Sequence, residues 1–214
     1  MKKIAIYGAG GFGKEVACLI DRINAKGGDW ELIGFFDDTK PAGTPVSIYG
    51  KVLGGMDAIR DITEPMALAI AINENKVVKR ITETITNDNV YFPNLIDPSL
   101  FVVDKRTLKM GEGNIIQNDC MISCDVSIGS FNLINDHVVV GHDNVIGNFN
   151  GLMPGAHLSG SVTIGDNNLL GVASAVVQGI TIGNGITLGA NSVLMTQPRD
   201  NKTYLGVPAK RFGF

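Results

Sequence analysis

From Ile116 onward an aliphatic side chain returns at every sixth position: Ile116, Ile122, Ile128, Ile134, Val140, Ile146, Leu152, Leu158, Ile164, Leu170, Val176, Ile182, Leu188 and Leu194. If about a quarter of positions carried Ile, Leu or Val, such a run would have a chance on the order of 10⁻⁸, so the period is a structural repeat. Glycine follows seven of these residues, at 129, 141, 147, 165, 171, 183 and 189. A hexapeptide of this kind supplies one short strand and one turn, and three of them return the chain to its starting edge as an 18-residue coil. The spacing therefore predicts a parallel β-helix of triangular section. Residues 18 apart stack, giving one inward aliphatic ladder per corner, led by Ile116, Ile122 and Ile128. Two residues before the aliphatic position lies a second inward site, where Asn132, Asn150 and Asn168 recur at 18-residue intervals. They read as an amide ladder that satisfies buried turn carbonyls, which takes them off the catalytic list.

The first part of the chain has a different rhythm. Lys3 to Tyr7 is a short apolar run, Gly8-Ala9-Gly10-Gly11-Phe12-Gly13 follows at once, and Lys14 to Asn24 has helical periodicity. Further runs at Glu31 to Phe36 and Ala67 to Ile72, with a helical stretch from about Asn75 to Thr86, predict a small parallel α/β unit. Phe92-Pro93-Asn94-Leu95-Ile96-Asp97-Pro98 interrupts both periodicities, because proline lacks an N–H and restrains its predecessor. The expectation is a Rossmann-like α/β domain over residues 1–92 and an all-β helix over 93–214.

Composition adds exclusions. The 214 residues carry a net charge of −3 from charges spread along the chain, so no basic field is available for nucleic acid. No apolar run approaches the roughly 20 residues of a transmembrane helix, and none near the start has the length of a signal peptide. Cys18, Cys120 and Cys124 have no metal-ligand spacing. Reduced thiols and a cytoplasmic location are expected. Glycine, 27 of 214 residues, is nearly twice its usual share, which repeated backbone geometry explains.

Gly8-x-Gly10-x-x-Gly13, with a strand before it, a helix after it and Asp37-Asp38 about 25 residues on, meets the dinucleotide fingerprint. Read alone it says NAD. Only about 90 residues precede the boundary, however, enough for one mononucleotide half and hardly for a second. The same geometry serves a nucleotide-sugar, whose diphosphate would sit on backbone N–H groups at the helix N-terminus.

The hexapeptide array, together with Ile6 to Gly13, Phe36-Asp37-Asp38, Ile134-Asn135, His142-Asp143, Val145-Ile146-Gly147 and Gly206-Val207-Pro208-Ala209-Lys210, resembles the two-domain bacterial sugar acetyltransferases. These are left-handed β-helix enzymes that include N-acetyltransferases of nucleotide-linked 4-amino-4,6-dideoxy sugars and sialic acid O-acetyltransferase relatives. The resemblance implies a left-handed coil, a homotrimer, acetyl-CoA as acetyl donor and a nucleotide-sugar acceptor. It places His142 as general base, oriented by Asp143, with Asn135 beside the acceptor. It assigns the coenzyme to Gly160, Val172 and Ala190, with the Gly160 N–H on the thioester carbonyl. The nucleotide falls to Gly10, Gly11, Phe12, Asp37, Asp38 and Asn73.

Other readings compete with these assignments. Sugar O-acetylation and a non-catalytic nucleotide-sugar scaffold are the rivals. His137 and His142 have an H-x₄-H spacing that suggests zinc, but a third ligand is missing, and no metal is expected. Cys124, 18 residues before His142, raises an acyl-enzyme; direct transfer in the family favours packing roles for Cys124 and Cys120. His157 reads as an exposed coil residue. Nine residues after the base, where the amino-sugar enzymes carry a second histidine, this chain has Gly151.

Overall fold

The computed structural model describes residues 1–213. The chain divides into two compact units, one from Met1 to Pro98 and the other from Ser99 onward.

The first unit contains β1 (Lys2–Tyr7), α1 (Gly11–Asn24), β2 (Trp30–Phe36), β3 (Val52–Gly54), α2 (Met56–Arg60), β4 (Met66–Ile70), α3 (Asn75–Thr84) and β5 (Val90–Tyr91). The strands form one parallel sheet in the order β3-β2-β1-β4-β5. Its core joins Ile4, Ile6, Phe35 and Leu68 of the sheet to Val16, Ala17, Leu19 and Ile20 on the inward face of α1. Three elements escape the periodicity reading, because β3, α2 and β5 have two to five residues each and are shorter than any useful pattern window. The helix after the glycine turn begins at Gly11 rather than Lys14, so Gly13 of the fingerprint is already helical. Asp97, 1% exposed, is held by Arg22 of α1 through bonds of 2.8 and 3.0 Å.

The second unit is a parallel β-helix. Between Lys109 and Val193, two-residue strands stack on three faces in an unbroken 18-residue register, as in Ser127, Val145, Thr163 and Thr181 on one face. All fourteen aliphatic repeat positions are buried, none above 4% exposed. The amide ladder has four rungs, because Asn114 precedes Asn132, Asn150 and Asn168. Each later rung donates to the preceding asparagine's Oδ1 at 3.0 Å and to a turn carbonyl, Gly147, Gly165 or Gly183, at 2.9–3.0 Å.

Coiling begins before the hexapeptide count does. Phe101–Val102 and Lys109–Met110 are already strands, and Phe101 pairs with Met121, 20 residues on, so this first coil is out of the 18-residue step. Many turns pass through the left-handed backbone region at a non-glycine residue, among them His137, Asp143, Phe149 and Asn167 at φ of 55–59°. At the far end Thr203–Leu205 adds in parallel to Thr187–Leu188, and Lys210–Phe212 folds back antiparallel on it. That hairpin covers a strand that would otherwise present unpaired edge groups.

Candidate functional site

In the first unit, the carboxyl ends of β1, β2 and β4 open into a cavity of about 740 Å³. It lies where the strand order reverses between β1 and β4, the place where open parallel sheets take ligands. Gly10, Gly11, Phe12, Asp37, Asp38 and Asn73 all line it. The four glycines of the turn divide into two kinds. A Cβ on Gly13 would lie 2.0 Å from the Gly8 carbonyl oxygen, and Gly8, at φ +109°, has the Ala71 carbonyl 2.6 Å from its own virtual Cβ. Close packing of strand, turn and helix therefore fixes Gly8 and Gly13. Around Gly10 and Gly11 a Cβ would meet nothing within 4 Å. Their bareness leaves room on the cavity side beside the first turn of α1, which has no side-chain cap and no acidic residue.

The two aspartates serve the loop itself. Asp37 accepts the Ala9 N–H at 2.8 Å and, through its other oxygen, the Thr39 N–H and hydroxyl at 2.8 and 2.6 Å. Burial works to raise the Asp37 carboxyl, but these bonds prevail and hold it below the usual carboxylate range. Asp38 accepts the Met56 N–H at 2.8 Å and the Tyr7 hydroxyl. Burial pushes the Tyr7 phenol up, and its bond to Asp38 adds to the shift. Each carboxylate, expected to face a nucleotide, is thus already engaged in organising the cavity wall. Arg80, on α3 with Val77, Ile81 and Thr84, is the cation lining this cavity, and the sequence reading passed over it.

In the second unit, His142 and Asp143 occupy one turn, both half-exposed. The imidazole Nδ1 lies 2.7 Å from Asp143 Oδ2. A carboxylate only accepts, so Nδ1 carries a proton, and the neutral form of the ring has its lone pair on Nε2. Gly160 lies one coil on. A Cβ there would lie 2.5 Å from His142 Cε1 and Nε2, so the ring rests on this glycine and would be displaced by any side chain. His142, Asp143 and Gly160 are thus brought together.

The other expected residues lie elsewhere on the coil. Asn135 sits at the preceding corner and accepts its own neighbour's Asp136 N–H at 2.8 Å. Among the described residues no hydrogen bond links it to His142 or Asp143. Val172 and Ala190 stack at that corner too, with the Asn191 N–H donating to the Val172 carbonyl at 2.8 Å. Between the two corners runs the face carrying Met121, Val139, His157, Ala175 and Val193 in register. Gly151 is a buried strand residue between Leu133 and Leu169 on another face. Cys120 donates to the Asn135 carbonyl at 3.0 Å from inside the coil. Among the described residues no three His, Cys, Asp or Glu side chains are grouped as a metal site, and no helix is long and apolar enough to cross a membrane.

Comparison with known proteins bears on both units. Residues 3–85 match the PglD N-terminal domain family. The acetyltransferase domain of PglB from Neisseria gonorrhoeae FA1090 is 28% identical over 99% of this chain and 100% of its own, with a TM-score of 0.86. PerB from Caulobacter crescentus, solved with CoA and GDP-perosamine, is 28% identical over 100% of this chain and 98% of its own, with a TM-score of 0.87. The chain is similar over its whole length to bacterial acetyltransferases, one of them a perosamine N-acetyltransferase. A third structure, WeeI from Acinetobacter baumannii AYE, agrees at 27% identity, 99% and 100% coverage and a TM-score of 0.87. The acyltransferase class and the left-handed β-helix after a Rossmann-like unit follow from this whole-length likeness. No curated protein sequence matches the chain at a comparable level.

Proposed function

We propose that the protein transfers the acetyl group of acetyl-CoA to the amine of a nucleotide-linked 4-amino-4,6-dideoxy sugar. The observation that carries this reading is the His142–Asp143–Gly160 cluster: an imidazole whose Nδ1 is held by a carboxylate at 2.7 Å and whose ring rests on Gly160 one coil on. As the neutral amine attacks the thioester carbonyl, the C–N bond forms and negative charge gathers on the carbonyl oxygen. The Gly160 N–H stabilises that oxygen. His142 Nε2 takes the proton that the new ammonium loses, and passes it to the coenzyme sulfur as the C–S bond breaks. Asp143 keeps the imidazole in the required tautomer and stabilises the imidazolium between those transfers.

The cavity of the first unit would take the nucleotide, with diphosphate oxygens on the α1 N-terminus beside Gly10 and Gly11 and with Asp37, Asp38 and Asn73 around it. Val172 and Ala190 stand across a strand face from His142, and one chain offers ridges there rather than the cleft that a pantetheine arm needs. A homotrimer that seats the coenzyme between coils accounts for that arrangement. The largely apolar outward column Met121, Val139, Ala175 and Val193 suits such an interface.

Thiol release from acetyl-CoA, measured across UDP-, dTDP- and GDP-linked amino sugars and free sialic acid, tests the reading. The expected result is faster turnover with a nucleotide-linked amino sugar than with sialic acid. In His142→Ala, kcat should fall about 10²- to 10⁴-fold with acetyl-CoA affinity nearly unchanged. Full activity in that variant, a preference for a sugar hydroxyl, or tight NAD binding without nucleotide-sugar binding would overturn the proposal.

A further inference from the structure

Asn144 is a fully buried asparagine in a column otherwise built of aliphatic residues, with Val126 one coil before it and Val162 one coil after. It does not belong to the four-rung amide ladder, which occupies a different corner. Its Nδ2 donates to the Gly141 carbonyl at 2.7 Å and to the Ser159 carbonyl at 3.0 Å, and its Oδ1 accepts the Val162 N–H at 2.8 Å. The two carbonyls belong to the peptide planes that lead into His142 and into Gly160. One side-chain amide therefore ties the plane carrying the imidazole to the plane carrying the glycine on which that imidazole rests.

The consequence reaches the Gly160 N–H. In a trans peptide the C=O and N–H point in opposite directions. With the Ser159 carbonyl drawn inward to Asn144, the Gly160 N–H faces outward from the coil, at the glycine on which the His142 ring rests. Among the described residues that N–H donates to no protein acceptor. At the neighbouring turns of the same corner, valine replaces the amide and no such clamp is made. The coil itself thus shows that valine fits this position, and that the amide is present at the turn bearing His142.

We propose that Asn144 is a positioning residue: it sets His142 Nε2 and the Gly160 N–H in one fixed relation, so that proton acceptor and oxyanion donor face a single reacting carbonyl. This rests on the acetyl-transfer reading above. While both carbonyls are held by one amide, the two planes cannot separate or rotate independently.

The test compares Asn144→Val with Val126→Ala, a change in the same column that removes apolar volume and leaves both carbonyls alone. The chain has three histidines, so imidazole NMR resolves each. Asn144→Val should lower kcat about 10- to 100-fold with little change in acetyl-CoA KM, and should move the His142 ring signals while those of His137 and His157 stay. Val126→Ala should lose thermal stability with kcat within about twofold. Asn144→Thr, shaped like valine but keeping one donor, should recover part of kcat, and it carries the comparison if the valine variant does not fold. Wild-type kcat and unmoved His142 signals in either Asn144 variant would overturn the assignment, as would a kcat loss of equal size in Val126→Ala. A wild-type protein that releases no thiol with any amino sugar would instead overturn the acetyl-transfer reading, leaving the His142 signals to judge the clamp.

Discussion

Replacing Gly160 with alanine is a small change with a large expected effect on turnover. The new methyl would sit 2.5 Å from two atoms of the His142 ring, whereas comfortable contact between such atoms is about 3.5 Å, so the ring must retreat by about 1 Å. Gly160 does not occupy the left-handed region, and the three heavy atoms nearest the new methyl all belong to a half-exposed side chain that is free to swing outward. The fold should therefore tolerate alanine, with stability changed by less than about 1 kcal/mol. The site should not tolerate it, because a displacement of this size costs about 10² in rate when reacting atoms must be aligned. Gly141→Ala supplies the contrast: there the methyl meets the Ser159 carbonyl and the Gly160 nitrogen at 2.7–2.9 Å, backbone atoms that cannot swing away, and about 1–3 kcal/mol of stability should go. Steady-state thiol release and thermal melting on both variants decide the matter. Wild-type kcat in Gly160→Ala would refute the reasoning, as would a kcat loss that merely tracked the melting temperature in both variants.

Asn150→Ala should destabilise the coil by about 3–5 kcal/mol, because Asn168 loses partners for its N–H and side-chain amide and the Gly165 carbonyl loses its donor. A melting temperature lowered by only a degree or two would show that water replaces the rung. Gly11→Val should exclude nucleotide-sugar from the cavity and leave acetyl-CoA binding intact, which calorimetry with each ligand can separate. Asp37 is depressed in the folded state, so its contribution is present above the ordinary carboxylate pKa near 3.9 and is lost as pH falls through the lower folded value. Asp37→Asn should accordingly flatten the dependence of first-unit melting on pH below about 4, and an unchanged acid profile would contradict this.

The coil was legible in the sequence because its core is written one side chain per hexapeptide, and burial of all fourteen positions leaves no rung ambiguous. Its beginning was not, since Phe101 and Lys109 enter on a 20-residue and an 18-residue step that the aliphatic count does not span. The nearness of Gly10 to Asp37 and Asp38 was readable from a fingerprint whose spacing encodes strand, turn and helix, whereas Gly11, Phe12 and Asn73 came from the family resemblance. The engagement of Asp37 with Ala9 and of Asp38 with Tyr7 was not, because those partners are fixed by sheet register rather than by sequence distance. Arg80 escaped for a related reason, since it reaches the cavity from the middle of α3 and no motif surrounds it. Asn144 had a signal that was available: it occupies an inward position, two residues before Ile146, where its column neighbours are valines. A lone polar residue on an apolar column is as informative as a polar column, and it is easier to overlook.

The constant 18-residue step after the first coil also makes the β-helix a ruler with one graduation per turn. From Val139, in the strand just before His142, to Val193, in the last rung of that face, the path runs through His157 and Ala175 in three steps, about 14 Å at the usual spacing of neighbouring strands. Deleting a single residue along that path would turn every later aliphatic side chain outward. Deleting a block of 18 would rejoin matching rungs and bring the end of the coil closer by about 4.8 Å. Insertions and deletions between Val139 and Val193 are therefore quantised. The distance from the histidine turn to the last rung of that face can change in whole coils and in no smaller unit.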